Sequence, residues 1–335
     1  MRLATKVLVP LALALAALVV VAGCGSSGGS TANSSSSGSP AASKTYKIGV
    51  TQIVTHPALD AAVAGFKQAL ADKGIDATYD MQNAEGDMAT TAQIAQKFAG
   101  ESLDLILGVA TPTTQAVVKA DTSTPIVFTA VTDPVGAGIV DNAKAPGANV
   151  TGVSDMLPVQ PHLDLIKKIV PNVKTIGVLY NAGESNSVYL VKAEKAAAAK
   201  MGIKVVEATA SKSSEVQQAA QSLVGKVDAM SVLTDNTVVS ALESVIKVAD
   251  QNKIPLIAGD TDSVKRGAVA AYAFNYKDLG YQTGEMAAKI LGGAAIGSLP
   301  VEYANNLQLA VNQKAATAQG VTIPSDLTSK ADLTY

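Results

Sequence analysis

The chain has 335 residues, with 26 basic and 28 acidic side chains and a formal net charge of −2. A near-neutral balance without a basic tract leaves no footprint for nucleic acid, and no block of like charge forms an interaction tail. After the N-terminal segment, no apolar run reaches the ~20 residues of a helical membrane span, so no helical channel is expected.

The chain opens with Arg2 and Lys6, then runs nearly charge-free from Val7 to Val21. The stretch ends in Val21-Ala22-Gly23-Cys24, which contains the only cysteine. A basic start, a short apolar middle and small residues at the end have the layout of a secretory signal. The final four residues resemble a lipoprotein box. Residues 1–23 are therefore expected to be a signal peptide and Cys24 a lipidation site. The mature chain is expected outside the cytoplasm, at a cell surface or in a periplasm, held to the membrane by acyl chains. Residues 24–44 are mostly Gly and Ser, with nothing apolar to bury. Such a linker spans roughly 25 Å, from ~5–6 Å times the square root of its length.

From residue 45 onward, Val- and Ile-rich runs alternate with Ala-rich amphipathic segments. Tyr46–Val54 reads as a strand and Pro57–Lys73 as a helix, with Leu59, Val63, Phe66 and Leu70 at three- and four-residue spacings. Strand Ala77–Met81, helix Asp87–Ala99, strand Leu103–Val109, helix Thr113–Ala120 and strand Pro125–Ala130 follow. This alternation predicts an α/β architecture with parallel pairing and right-handed crossovers. The pattern then starts again. Ile48-Gly49-Val50 has a counterpart in Ile176-Gly177-Val178, Asp104 in Asp228, and Pro125 in Pro255. Three correspondences in the same order predict two similar lobes.

In open parallel sheets, ligands bind beyond the carboxyl ends of the strands. The residues after each strand are therefore the site candidates. In the first lobe these are Gln52, His56, Thr111, Thr113 and Thr129; in the second, Tyr180, Asn186, Ser187, Asp235, Asn236 and Asp260. Ser, Thr, Asn and Asp are also preferred helix N-caps, so every such turn has a second explanation. Helix N-termini favour carboxylates and acidic residues favour an ammonium, a combination suited to an amino acid. Asp155, Asp235 and Asp260 are the candidates for the ammonium. Asn186 and Ser187, with Thr111 and Thr113 from the other lobe, are candidate donors to the carboxylate. Asp104 and Asp228 open buried strands and read as structural.

Several stretches carry a family resemblance. They are Thr55-His56-Pro57-Ala58-Leu59-Asp60, Thr111-Pro112-Thr113, Ala130-Val131-Thr132-Asp133-Pro134-Val135, Asn149 to Asp155, Tyr180-Asn181 with Glu184 to Ser187, and Asp260 to Val264 with Arg266-Gly267. Over residues 47–289 the chain resembles the substrate-binding lipoproteins of ABC transporters described as tryptophan/tyrosine transporters. The resemblance implies a type I periplasmic-binding-protein fold, whose lobes are joined by a three-crossing hinge. The crossings are expected near Thr151–Asp155, Ala273–Tyr276 and Ser298–Tyr303. The N-terminal lobe would then hold 45–153 and 274–300, and the C-terminal lobe 154–273 and 301–335. The implied function is capture of an aromatic or other amino acid for an ABC permease and its ATPase. A monomer is expected, with no cofactor.

The chain has no Trp and four Phe. An aromatic ligand would therefore stack on Tyr180, Phe274 or Tyr276, whereas Phe66, Phe98 and Phe128 read as core. Two distant histidines and no cysteine cluster give no metal site; His162 is expected on a helix facing solvent. Arg266, the one arginine after Cys24, reads as a turn or hinge residue. The folded part has no Gly-x-Ser-x-Gly elbow, so a hydrolase is not expected. A surface receptor of the same fold, or a binder of sugar-like or signalling ligands, remains the alternative.

Overall fold

The computed structural model describes residues 44–147, 149–304 and 306–335. The signal-peptide, Cys24 and linker readings lie outside the described residues, apart from Lys44. The first lobe starts with β1 (Tyr46–Gln52), α1 (Pro57–Asp72), β2 (Ala77–Asn83), α2 (Met88–Ala99), β3 (Leu105–Val109), α3 (Thr111–Ala120), β4 (Ile126–Thr129) and β5 (Val150–Ser154). The second lobe has α4 (Val159–Ile169), β6 (Thr175–Tyr180), α5 (Ser185–Lys200), β7 (Lys204–Thr209), α6 (Val216–Leu223), β8 (Ala229–Val232), α7 (Asn236–Ser240), α8 (Leu242–Asn252), β9 (Leu256–Ala258), α9 (Thr261–Arg266) and β10 (Ala270–Phe274). The chain returns through α10 (Tyr276–Leu291) and β11 (Glu302–Tyr303). It ends with β12 (Leu307–Val311), α11 (Gln313–Ala318), α12 (Ser325–Thr328) and β13 (Leu333–Thr334).

The first sheet runs β11-β5-β4-β3-β1-β2, and the second β13-β12-β10-β9-β8-β6-β7. Strands β3 and β8 are buried on both faces, as parallel strands covered by helices must be. The two lobes repeat each other down to single carboxylates. Asp104 accepts the Lys47 N–H at the mouth of β1, and Asp228 accepts those of Lys174 and Thr175 at the mouth of β6, all at 2.8 Å. The structural reading of both residues therefore holds. Phe66, Phe98 and Phe128 are fully buried.

The strand ends that precede the three crossings lie at Ser154, Phe274 and Tyr303, each in the lobe being left. Glu302 and Tyr303 pair with Val153 and Ser154, so this stretch belongs to the first sheet rather than the second lobe. The second sheet is also not wholly parallel, because β12 runs antiparallel to β10. The last crossover explains this. The chain enters the second lobe from the edge where β10 ends, so β12 must run the opposite way.

The return helix fixes the first lobe. A side chain at Gly280 of α10 would come within 1.8 Å of the Ala62 carbonyl oxygen, and one at Gly65 of α1 within 2.0 Å of that of Lys277. The two helices meet backbone to backbone, a distance only glycine permits.

His162 does not face solvent. It is fully buried between α4 and β8, with Nε2 at 2.8 Å from Ser231 Oγ and 4.0 Å from Glu194 Oε1. The apolar spacing of α4 explains this: Leu163, Ile166 and Ile169 share its buried face with His162.

Candidate functional site

Both sheets place β1 or its counterpart β6 between strands that run to opposite sides, the topological switch where ligands bind. The turns after these strands meet across a narrow cavity. The first lobe contributes His56, Ala58, Leu59 and Ala130, and the crossovers contribute Asp155 and Tyr276. The second lobe contributes Asn186, Thr234, Asp235, Asn236, Val239 and Asp260.

The local sequence explains how each group is aimed. His56 is the N-cap of α1; the Leu59 N–H donates to its Nδ1 at 3.4 Å, and Pro57 fills the first helical position. Asp235 caps α7, accepting the Val238 N–H at 2.7 Å. Asp260 caps α9, accepting the Ser263 N–H at 2.7 Å and the Ser263 hydroxyl at 2.5 Å. Capping and cavity lining thus coincide in the same side chains. Ala110 and Ala130, just after β3 and β4, have φ of 76° and 57°. Such backbone is costly outside glycine and clusters at functional sites. Here it bends the chain sharply at the cavity edge.

The cavity wall is acidic and buried. Burial raises the carboxyl groups of Asp155 and Asp260 above the ordinary range. Burial, with the neighbouring Glu184 charge, raises that of Asp235 to about 7. The Asp155 carboxylate accepts from Thr132 Oγ1 at 3.1 Å and from the Tyr276 hydroxyl at 2.5 Å. Burial, and then the Asp155 charge, holds that phenol well above its usual value. Burial lowers the His56 imidazole to about 4, against an upward pull from Asn236 across the cleft.

Of the expected site residues, His56, Asp155, Asn186, Asp235, Asn236 and Asp260 come together here. The others do not line the cavity. Gln52 Nε2 donates to Val54 O and Asp60 Oδ1, bracing the start of α1. Thr113 Oγ1 donates to Val109 O at 2.6 Å, so it closes its own helix turn instead of offering a donor. Thr111 and Thr129 have buried hydroxyls without partners, outside the cavity lining. Ser187 Oγ donates to Asp235 Oδ2 at 2.6 Å and so acts on the site through that carboxylate. Tyr180 is half-buried at the end of β6, its hydroxyl donating to Glu207 at 2.7 Å, outside this cavity. Phe274 is buried but also outside this cavity, whereas Tyr276 lines it. Arg266 is held by Glu243 through two bonds of 2.8 Å.

Glu184 belongs to a family-like stretch of the sequence but is not among the expected site residues. It accepts Asn236 Nδ2 at 2.5 Å, Thr237 Oγ1 at 2.8 Å and two backbone N–H groups of α7. Its place one residue before α5 carried no signal, because it caps a helix distant in sequence.

A family model described as ABC transporter substrate binding protein matches residues 47–334. The chain belongs to this family. A tyrosine-binding protein of Clostridioides difficile is 42% identical over 303 residues, covering 89% of this chain and 88% of the relative. A solved structure from Streptococcus pneumonia, in complex with L-Trp, is 36% identical with a TM-score of 0.84, covering 87% of this chain and 100% of that one. A ligand-free, open structure of a substrate binding protein with adhesive properties from Clostridium difficile is 45% identical with a TM-score of 0.65, covering 86% and 98%. In shape this binding protein is therefore nearer to the L-Trp complex than to the open relative, with which it shares more sequence. As a substrate-binding protein of an ABC transporter it acts outside the cytoplasm and captures its substrate without transforming it.

Proposed function

We propose that this protein binds an amino acid with an aromatic side chain in the cavity between its lobes and delivers it to an ABC permease. The observation that carries this reading is the grouping of the buried Asp155, Asp235 and Asp260 around one cavity. A buried carboxylate cluster is costly unless a cation completes it. The ammonium of an amino acid supplies that charge, while Leu59, Ala130, Val239 and the Tyr276 ring offer apolar surface to its side chain. Relatives named for tyrosine and solved with L-Trp support an aromatic ligand. Capture works through higher affinity for the closed than the open arrangement of the lobes, which shifts the population toward closure. The protein acts as a monomer held to the membrane through lipidated Cys24, with residues 25–44 as tether.

A thermal-shift screen tests this. L-tyrosine or L-tryptophan at 100 times Kd stabilises the native state by ~2.7 kcal/mol and raises Tm accordingly. A shift with sugars, and none with any amino acid, would overturn the reading.

A further inference from the structure

We infer that His56, acting as a neutral donor beside the Ala58 N–H, receives the carboxylate of the ligand, and that no cationic side chain takes part. The inference rests on the amino-acid reading above and adds to it which wall takes which end.

The tautomer follows from the cap. A ring nitrogen that accepts the Leu59 N–H carries no proton, so the proton of the neutral imidazole sits on Nε2. Burial keeps the ring neutral across the physiological range. Nε2 is buried, makes no hydrogen bond and belongs to a side chain lining the cavity. A buried donor without a partner is expensive, and a ligand oxygen would satisfy it.

The backbone adds a second donor. Pro57 has no N–H and that of Leu59 is taken by the cap, which leaves Ala58 in the first turn of the 16-residue α1. Ala58 also lines the cavity. The positive end of the helix dipole favours an anion at this point.

On the opposite wall the Thr234 hydroxyl is the one lining side-chain donor left without a partner. The other donors are committed to the protein's own acceptors: Ser187 Oγ and Asn181 N–H to Asp235, and Asn236 Nδ2 to Glu184. Asn186 Nδ2 donates to Thr234 O at 3.1 Å, which leaves its buried Oδ1 as an unpartnered acceptor. A carboxylate there would meet one hydroxyl against the carboxyl groups of Asp155, Asp235 and Asp260 and the Asn186 amide oxygen. An ammonium would meet what it needs. Arg266 is already engaged by Glu243 and by Val239 O.

Two variants separate the donor from the cap. His56→Asn keeps an acceptor near the Nδ1 position but loses the Nε2 donor; His56→Gln keeps a donor near Nε2. Calorimetry on the purified protein compares L-tyrosine with tyramine, which lacks the carboxylate. His56→Asn should weaken L-tyrosine about ten- to a hundredfold, the usual worth of a hydrogen bond to a charged group. It should leave tyramine within about threefold of its wild-type affinity, and His56→Gln should recover most of the L-tyrosine affinity. Equal losses for both ligands, or wild-type affinity for L-tyrosine in His56→Asn, would overturn the assignment alone. Failure of the wild-type protein to bind any amino acid would instead overturn the amino-acid reading, and the assignment with it.

Discussion

The Tyr276 hydroxyl donates to Asp155 Oδ2 at 2.5 Å, joining the start of the first crossover to the end of the second. Both residues also line the cavity proposed to hold the ligand. A ligand touching either therefore acts directly on the hinge. Tyr276→Phe leaves the fully buried Asp155 with Thr132 as its remaining side-chain donor. The expected cost is about 1–3 kcal/mol in urea unfolding, together with weaker ligand binding. Unchanged stability and affinity would show that the bond does not couple site to hinge.

Asp235 makes ligand binding pH-dependent. Its folded value is raised to about 7, above its unfolded value, so the stability it contributes is full below the unfolded value and lost as pH rises through about 7. A bound ammonium favours the ionised form, so affinity should move the other way. Calorimetry should show affinity falling as pH drops from 8 to 6. Asp235→Asn should weaken binding about tenfold or more at pH 8 and flatten the profile. A wild-type profile that is already flat would remove Asp235 from the ammonium contacts.

Glu194 affects stability far from the ligand. It is fully buried, its two carboxyl oxygens have no partner, and burial raises it to about 7. Its contribution is present below its unfolded value and is lost as pH rises through about 7. His162, lowered to about 4 by burial, works in the opposite direction, losing its contribution as pH falls from the unfolded value through about 4. Glu194→Gln removes only the first effect. The variant should gain on wild type between pH 5 and pH 8, on the order of 3 kcal/mol from a shift of that size. Parallel stability curves for the two proteins would contradict this.

The contact between α1 and α10 leaves no room for a side chain. Gly280→Val should lower soluble yield and destabilise the first lobe by about 3 kcal/mol or more, since the obstructing atom is backbone. Gly100→Ala is the control. Its added carbon meets nothing closer than 3.5 Å, and the change should stay within about 0.5 kcal/mol. Comparable melting temperatures for the two variants would mean that the helices can separate freely.

The sequence alone determined the parts of this protein that depend on short stretches of chain. Apolar periodicity marked the helices, buried Val/Ile runs marked the strands, and the repeated Asp104 and Asp228 marked two lobes of one design. The polar turns after the strands were legible for the same reason, and with them Asp155, Asp235 and Asp260. What the sequence could not decide is where each polar atom spends its hydrogen bonds, because the partners lie far along the chain. Ser187 and Asp235 are 48 residues apart, Glu184 and Asn236 are 52, and Asp155 and Tyr276 are 121. Only the folded chain brings these together. In doing so it turns Ser187 from a ligand donor into a support, moves Tyr180 out of the site and buries His162. It leaves His56 Nε2, Asn186 Oδ1 and Thr234 Oγ1 as buried polar atoms of cavity-lining residues still in need of a partner.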